Sequence, residues 1–454
     1  MTSTTVSGAS AEALAAATPP GRDRYVDLLR VASLGVVIAG HWLMAVPVPG
    51  ADGGIHVTNL LALVPRLQPV TWLLQVMPVF FLVGGFAHAT ALASIRRRGG
   101  GYADFTRSRT ARLLRPTAVF LGVWLALALG VALAGQDQGL ARVALRTAVQ
   151  PLWFLAVYLG LVALAPVMWR LHQRFGVRVP IVLLTVAIGV DALRFAGHPR
   201  IAVLNLLVVW AGVHQLGFFY ADGTLQRGGR RLALLLAGGG LGSVVLLTTV
   251  GPYPISMVGV PGETVSNMSP PTVALAAHAV WLTGLVLLMR GPATRLLDRA
   301  RVWQAVVAAN GLAMTAFLWH LTAAFLVLLA TRGLAAGTPG SAGWWATRPL
   351  WLAAAGLVTA VLVLAFRRFD TPRPTLITTG SPARAAVGAA MCTLGVLGVS
   401  IVGFGGLLEG RTATLLVVPV TAPLALALVA LGASLLRAAP LSAGTAVTFN
   451  GEHS

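Results

Sequence analysis

Long apolar runs alternate along the chain with short polar stretches rich in Arg, Pro and Gly. The runs predict helices over roughly 26–47, 69–94, 113–134, 151–169, 180–195, 201–219, 231–250, 271–289, 302–330, 349–366, 385–406 and 412–436. Most reach the roughly 20 residues needed to span about 30 Å of hydrocarbon. The pattern therefore predicts an all-α, polytopic helical membrane protein of about 12 spans, a ten-helix body followed by a helix pair. Residues 1–22 are small and polar with no apolar core, so they read as a disordered tail and not a signal peptide. The first helix serves as an uncleaved signal anchor. The body is placed at 23–370. A turn-rich cytoplasmic linker occupies 371–384, the helix pair, which lacks intramembrane charge, 385–437, and a second disordered tail 438–454.

Composition agrees with this layout. Hydrophobic residues make up 57% of the 454 positions and charged residues only 10%, with a mean hydropathy of +0.81. A soluble domain carries about 25% charge. The net charge of +20 would point to nucleic acid in a soluble protein. Here every basic residue is Arg, and the arginines sit in loops between apolar runs, where they set orientation. With the amino terminus inside, the arginines of 96–112, 170–178, 227–231, 290–301 and 367–373 are cytoplasmic. The outer loops keep only a scatter, so both termini are expected inside. The single Cys392 lies in an apolar run, which rules out an intrachain disulfide and zinc sites built on Cys clusters.

Six stretches carry candidate chemistry. In the first, Arg24 to His41, a helical repeat puts Asp27, Arg30 and His41 on nearly one face. Arg30 and His41 are then about 16 Å apart along the axis. Asp27 and Arg30 can pair, and His41 falls in the outer half of the span. Ionisable groups in a bilayer face a cavity or a partner; the plainer reading is a packed, hydrogen-bonded histidine. In Gln75–Phe86, Pro78 can kink the helix, and Gly84 and Gly85 let another backbone approach; His88 beyond them reads as structural. In Phe105–Pro116, Arg109, Arg112 and Arg115 recur every three residues. Planar guanidinium forks suit phosphate, although topology and anionic lipid also favour arginine there.

Trp153, in Pro151–Tyr158, reads either as the wall of a site or as part of an interfacial aromatic belt. The outer loop 251–271 is almost uncharged and rich in hydroxyl and amide groups. Ser256, Asn267 and Thr272 could there contact a polar acceptor, or the loop could simply lie on the protein. Asn310 and His320 are polar groups inside one apolar span, and each needs a partner or a cavity. Asp191 and Arg194 read as a local ion pair.

Arg24-x-x-Asp27-x-x-Arg30, followed eleven residues later by His41, resembles the opening of the acyltransferase-3 family of membrane enzymes. Four further features resemble that family in chain order. They are Phe80-Phe81 leading into Gly84-Gly85-Phe86, where Gly84 replaces the family's Ser; the basic run ending at Pro116; Trp153-Phe154-Leu155; and Trp319-His320. The resemblance spans about residues 22–370. It implies an acyltransferase for groups other than amino-acyl, placed in a bacterial cytoplasmic membrane. Its donor would be acyl-CoA, most simply acetyl-CoA, docked with its phosphates near Arg109, Arg112 and Arg115. Its acceptor would be a hydroxyl of a glycan, lipid or small molecule. His41 is then the general base or a transient acyl carrier, with Asp27 and Arg30 organising the inner end of the same helix. Trp153, Ser256, Asn267, Asn310 and His320 fall to substrate binding, with no metal and no nucleic acid. Membrane lipid is a partner, and a homo-oligomer is left open.

Two other classes compete with this reading. A proton-coupled transporter or exporter would use His41, His320 and the arginine stripe as a path, but the chain has no internal repeat. A non-catalytic scaffold would leave His41 replaceable. The orientation has its own test. A Cys placed within 251–270 is expected to react with an impermeant thiol reagent on intact cells, and one within 290–301 to stay unlabelled. The reverse pattern contradicts the layout.

Overall fold

The computed structural model describes residues 11–19, 21–49, 55–136, 139–331, 337–370, 380–415 and 418–437. Its long helices are α1 (Arg24–Met44), α2 (Met77–Arg97), α3 (Tyr102–Leu133), α4 (Leu152–Phe175), α5 (Arg178–Phe195), α6 (Asn205–Ala221), α7 (Gly229–Thr249), α8 (Val273–Leu297), α9 (Ala300–Ala330), α10 (Ala342–Phe366), α11 (Pro382–Val402) and α12 (Ala422–Leu436). Two antiparallel hairpins complete it: β1 (Ala45–Pro49) with β2 (Ile55–Asn59), and β3 (Thr412–Leu415) with β4 (Val418–Thr421). Among the described residues, ten helices are long and apolar enough to cross a membrane. The protein is therefore a multi-pass helical membrane protein. The predicted segment 180–195 is helical too, but Arg178, Asp191 and Arg194 lower its apolar character. The last helix has only 15 residues.

Several boundaries differ from the sequence reading for local reasons. The first helix stops at Met44, and Ala45–Pro49 turns into a strand. Pro47 and Pro49 have no N–H and a fixed φ, so the helical ladder cannot continue through them. The second segment breaks at Gln75. There the side chain accepts from the Met77 N–H at 3.1 Å and donates to the Met257 carbonyl at 3.2 Å. Pro78 thus sits in the first turn of α2, where a missing N–H costs nothing, and puts no kink within the span. The third helix starts at Tyr102, with the Asp104 carboxylate accepting from the Gly101 N–H at 2.9 Å, so the basic run lies on its opening turns. Thr412–Leu415 and Val418–Thr421 pair as the strands β3 and β4 ahead of α12.

Part of the expected amino-terminal tail is ordered. Ala11–Ala16 is helical, and Trp303 Nε1 donates to the Thr18 hydroxyl at 3.1 Å. A buried indole N–H needs an acceptor, and Thr18 supplies it. Residues 1–10 of that tail, the tail 438–454 and positions 371–379 of the linker lie outside the described residues.

α1 packs on α9, α2, α8 and α10, which places the first helix inside the body. α2 and α6 meet most closely at Gly85 and Gly217. A Cβ on either residue would collide with backbone atoms of the other helix, at the His214 carbonyl and at Leu82 and Phe86 respectively. This contact presses α6 onto the helix that carries His88. α11 and α12 pack on each other, and α11 lies against α4 and α3. Gly85→Ala should therefore destabilise the body by about 1–3 kcal/mol, the usual cost of overpacking, read as a lower melting temperature of purified protein. Gly189→Ala, at a site with nothing within 4 Å of the added carbon, should leave the melting temperature unchanged.

Candidate functional site

The inner end of α1 is fixed by carboxylates. Asp23 caps the helix, its Oδ1 accepting from the Tyr25 and Val26 N–H groups at 3.0 and 3.3 Å. Its other oxygen accepts from the Tyr220 hydroxyl at 3.2 Å and lies 3.7 Å from Arg290. Asp27, one turn on, is buried. It receives a two-pronged contact from Arg22, Nε to Oδ2 at 2.6 Å and Nη2 to Oδ1 at 3.1 Å. Asn310 Nδ2 donates to the same Oδ1 at 2.9 Å. The expected Asp27–Arg30 pair is present only at 4.0 Å. Arg22 is the principal cation, and sequence reading missed it because it closes a stretch that looked like a tail. Its hydrogen bond to Asp27 raises the Arg22 guanidinium above its ordinary value.

The C-terminal half of the same helix also meets α9, the helix that carries Asn310. His41 Nδ1 lies 3.1 Å from His320 Nε2, with ring centres 5.0 Å apart. His320 is fully buried, and its Nδ1 contacts the Phe317 carbonyl. His41 is only partly buried. Trp42 Nε1 donates to the His320 carbonyl at 2.8 Å, and Trp351 Nε1 donates to the Trp42 carbonyl at 3.0 Å. Asp27 meets Asn310 and His41 meets His320, so α1 and α9 run in the same direction. Alternating spans give this parallel arrangement when α5 is counted as a crossing along with the eight apolar helices from α1 to α9. Asn310 and His320 thus lie on one helix as predicted, yet each joins a different end of α1.

A cationic group lies below the imidazole pair. Arg30 of α1 and Arg109 and Arg112 of α3 all act electrostatically on Tyr158 of α4. Arg109 Nε is buried without a hydrogen-bond partner. Arg112 is exposed, and its charge also reaches Asp370. Arg115 follows on the same helix but is not among the groups acting on Tyr158. Asp370, just past α10, accepts from the Thr315 hydroxyl at 3.2 Å. Burial raises its carboxyl above the usual value, and the Thr315 bonds and the Arg112 charge oppose that rise.

Aromatic rings connect this group to the imidazole pair. Tyr158 is 6.1 Å from Phe154, Phe154 is 5.4 Å from Phe317, and Phe317 is 5.8 Å from His320, centre to centre. Phe80 and Phe81 border the same row, and Trp153 stands 6.4 Å from Phe154. A Cβ at Gly84 would strike the Tyr158 ring, so the tyrosine fills the space a serine would occupy there. A second imidazole pair, His88 Nδ1 to His214 Nε2 at 2.9 Å, is buried beside Tyr158 and Phe105. His214 was not singled out in the sequence, where it stands beside Gln215 in an otherwise apolar run.

The outer loop residues are turned inward. Asn267 Nδ2 donates to the Pro254 and Ser256 carbonyls at 2.7 and 2.9 Å. Thr272 donates to Asn267 Oδ1 at 2.7 Å, and the Ser256 hydroxyl donates to the Val258 carbonyl at 2.9 Å. All three are fully buried, and these bonds hold the loop in shape. Asp191 does not serve mainly as a partner for Arg194. It accepts from Asn205, the Tyr253 hydroxyl and the Val273 N–H at 2.9, 3.0 and 2.8 Å, which joins α5, α6 and α8 to the loop. Among the described residues, no three His, Cys, Asp or Glu side chains gather as metal ligands.

A family model described as an acyltransferase domain matches residues 23–368. No curated protein and no solved structure matches the chain.

Proposed function

The chain belongs to the acyltransferase-3 family, and on that footing we propose that it transfers an acyl group, most simply acetyl, from cytosolic acyl-CoA to a hydroxyl of a glycan, lipid or secondary metabolite. The observation that carries this reading is one continuous wall. A cationic group stands at one end and the partly buried His41 at the other, with Tyr158, Phe154 and Phe317 between them. The family implies an anionic donor. The buried, unpartnered Nε of Arg109 fits a phosphate oxygen, and guanidinium groups bind phosphate through two donors at once. Arg112 and Arg115 follow Arg109 about one and two turns farther from the cytoplasmic start of α3, and Arg30 of α1 acts on the same Tyr158 as Arg109 and Arg112. Those rings suit a thioester arm with few charges.

His41 is the general base. As the acceptor oxygen adds to the thioester carbonyl, the imidazole takes the hydroxyl proton. When the intermediate collapses, the carbon–sulfur bond breaks and His41 returns that proton to the departing sulfur. An ester and free CoA thiol result, and the enzyme is unchanged. A neutral imidazole at working pH suits this task. Asp27 is too far along the helix to touch the reacting atoms. Its part, with Arg22 and Asn310, is to fix the inner end of α1 and so the place of Arg30. The setting is the cytoplasmic membrane of a bacterium.

Two measurements test the reading. His41→Ala and His41→Gln should both insert normally, bind acyl-CoA and lose about 10²–10⁴-fold in turnover, the usual contribution of a general base. A Gln variant that turns over near the parent rate contradicts it. Replacing Arg109 and Arg112 together by Ala should weaken acyl-CoA binding, since charge-assisted hydrogen bonds are each worth about 1.5–3 kcal/mol. Lys at both positions should restore only part of it, because the bidentate fork is lost. Unchanged affinity in the double Ala variant would leave these residues as topology signals.

A further inference from the structure

We infer that His320 is a positioning residue, one that sets which nitrogen of His41 carries the proton and turns the other toward the substrate. The inference rests on the reading of His41 as the base.

It follows from what each atom in the chain of contacts can donate. The Phe317 carbonyl can only accept, so the ring nitrogen that meets it, His320 Nδ1, bears a hydrogen. In the neutral ring, His320 Nε2 is then a bare acceptor. It faces His41 Nδ1 at 3.1 Å, so that nitrogen must donate. The Val37 carbonyl, one helical turn before His41, is a second acceptor for the same ring. With Nδ1 protonated, the lone pair of neutral His41 lies on Nε2, on the side of the ring away from α9. That nitrogen meets neither of the two acceptors and is the one left for a substrate, on a residue that is only partly buried.

His320 itself is held firmly. It is fully buried, Phe317 stacks near it, and its backbone carbonyl accepts from Trp42, the residue next to His41. The arrangement has the base-and-orienter form of catalytic triads, with a neutral imidazole in place of the carboxylate. Among the described residues, no charged side chain bonds to either ring or acts on it electrostatically. On α1, Asp27 and Arg30 lie about three turns or more away. On α10, Arg348 stacks over Trp344 at 4.2 Å. On α2, His88 is paired with His214, and Arg96 and Arg97 lie in the last turn of that helix. The orienting role therefore falls to His320.

The experiment uses the full chain in lipid nanodiscs with acetyl-CoA as donor. His320→Leu removes the acceptor, whereas His320→Gln keeps an oxygen that can take the His41 proton. Leu should lower kcat by roughly 10²-fold, the scale of a misplaced catalytic group, and leave the KM for acetyl-CoA within about twofold; Gln should recover activity to within roughly tenfold of the parent. Nitrogen-15 spectra of the histidine rings in the parent should show neutral His41 protonated on Nδ1 and bare on Nε2. Gln no better than Leu overturns the inference, as does Leu at the parent rate or His41 protonated on Nε2. If the parent spectrum is as expected but His41→Gln keeps full turnover, the base reading has failed and the inference falls with it. A wrong tautomer alongside an inactive His41→Gln removes only the role of His320.

Discussion

Hydrocarbon offers no water to a polar side chain, so each polar group on a spanning helix must find its partner within the protein. Along α1 that requirement is met twice by one neighbour. Asp27 takes a hydrogen bond from Asn310 at 2.9 Å, and His41 meets His320 at 3.1 Å. The two contacts sit at opposite ends of the helix and fix its rotation and its depth against α9. Rotation decides whether Arg30 and His41 face the interior together. Depth decides where the imidazole stands along the row of aromatic rings. The other parts of the site are arranged around a helix that these contacts hold still.

The outer face shows the same logic in a different form. Loop 251–272 is rich in groups that could contact a sugar, yet Ser256, Asn267 and Thr272 turn inward and bind the loop to itself. Asp191 ties it to α5, α6 and the start of α8, and Trp72 Nε1 donates to the Ile255 carbonyl at 2.7 Å. A loop fixed in this way, with Glu263 as its single charge, is held firmly against this end of the bundle. Polar content alone did not separate a binding surface from an internally satisfied loop. Both need hydroxyls and amides, and only the direction of the side chains distinguishes them.

Periodicity and charge made most of the architecture legible. Spans of sufficient apolar length announce themselves, and the arginine runs mark one side of the membrane. The face shared by Asp27, Arg30 and His41 was readable from a helical repeat, and so was the need of Asn310 and His320 for partners. The partners themselves were not readable. The pairing of His41 with His320 joins residues far apart in the chain, and no local spacing encodes it. Arg22 was hidden because a short polar stretch looks disordered until Thr18 is seen beneath Trp303. Tyr158 was passed over because a tyrosine in an aromatic helix looks like packing. Its meaning depends on three arginines from two other helices. The proline-driven end of α1 at Met44 was legible in principle, since Pro47 closes the predicted span and Pro49 follows it.

The account joins a donor group on the arginine-rich side to an imidazole deeper in the bundle, and this asymmetry can be measured directly. Purified protein would be reconstituted in vesicles of known orientation, and acetyl-CoA with a labelled acetyl group supplied to one face at a time. The account predicts that label is consumed and free CoA thiol appears only when the donor is on the side of Arg109 and Arg112. Equal consumption from either face, or consumption only from the face of loop 251–272, would contradict it.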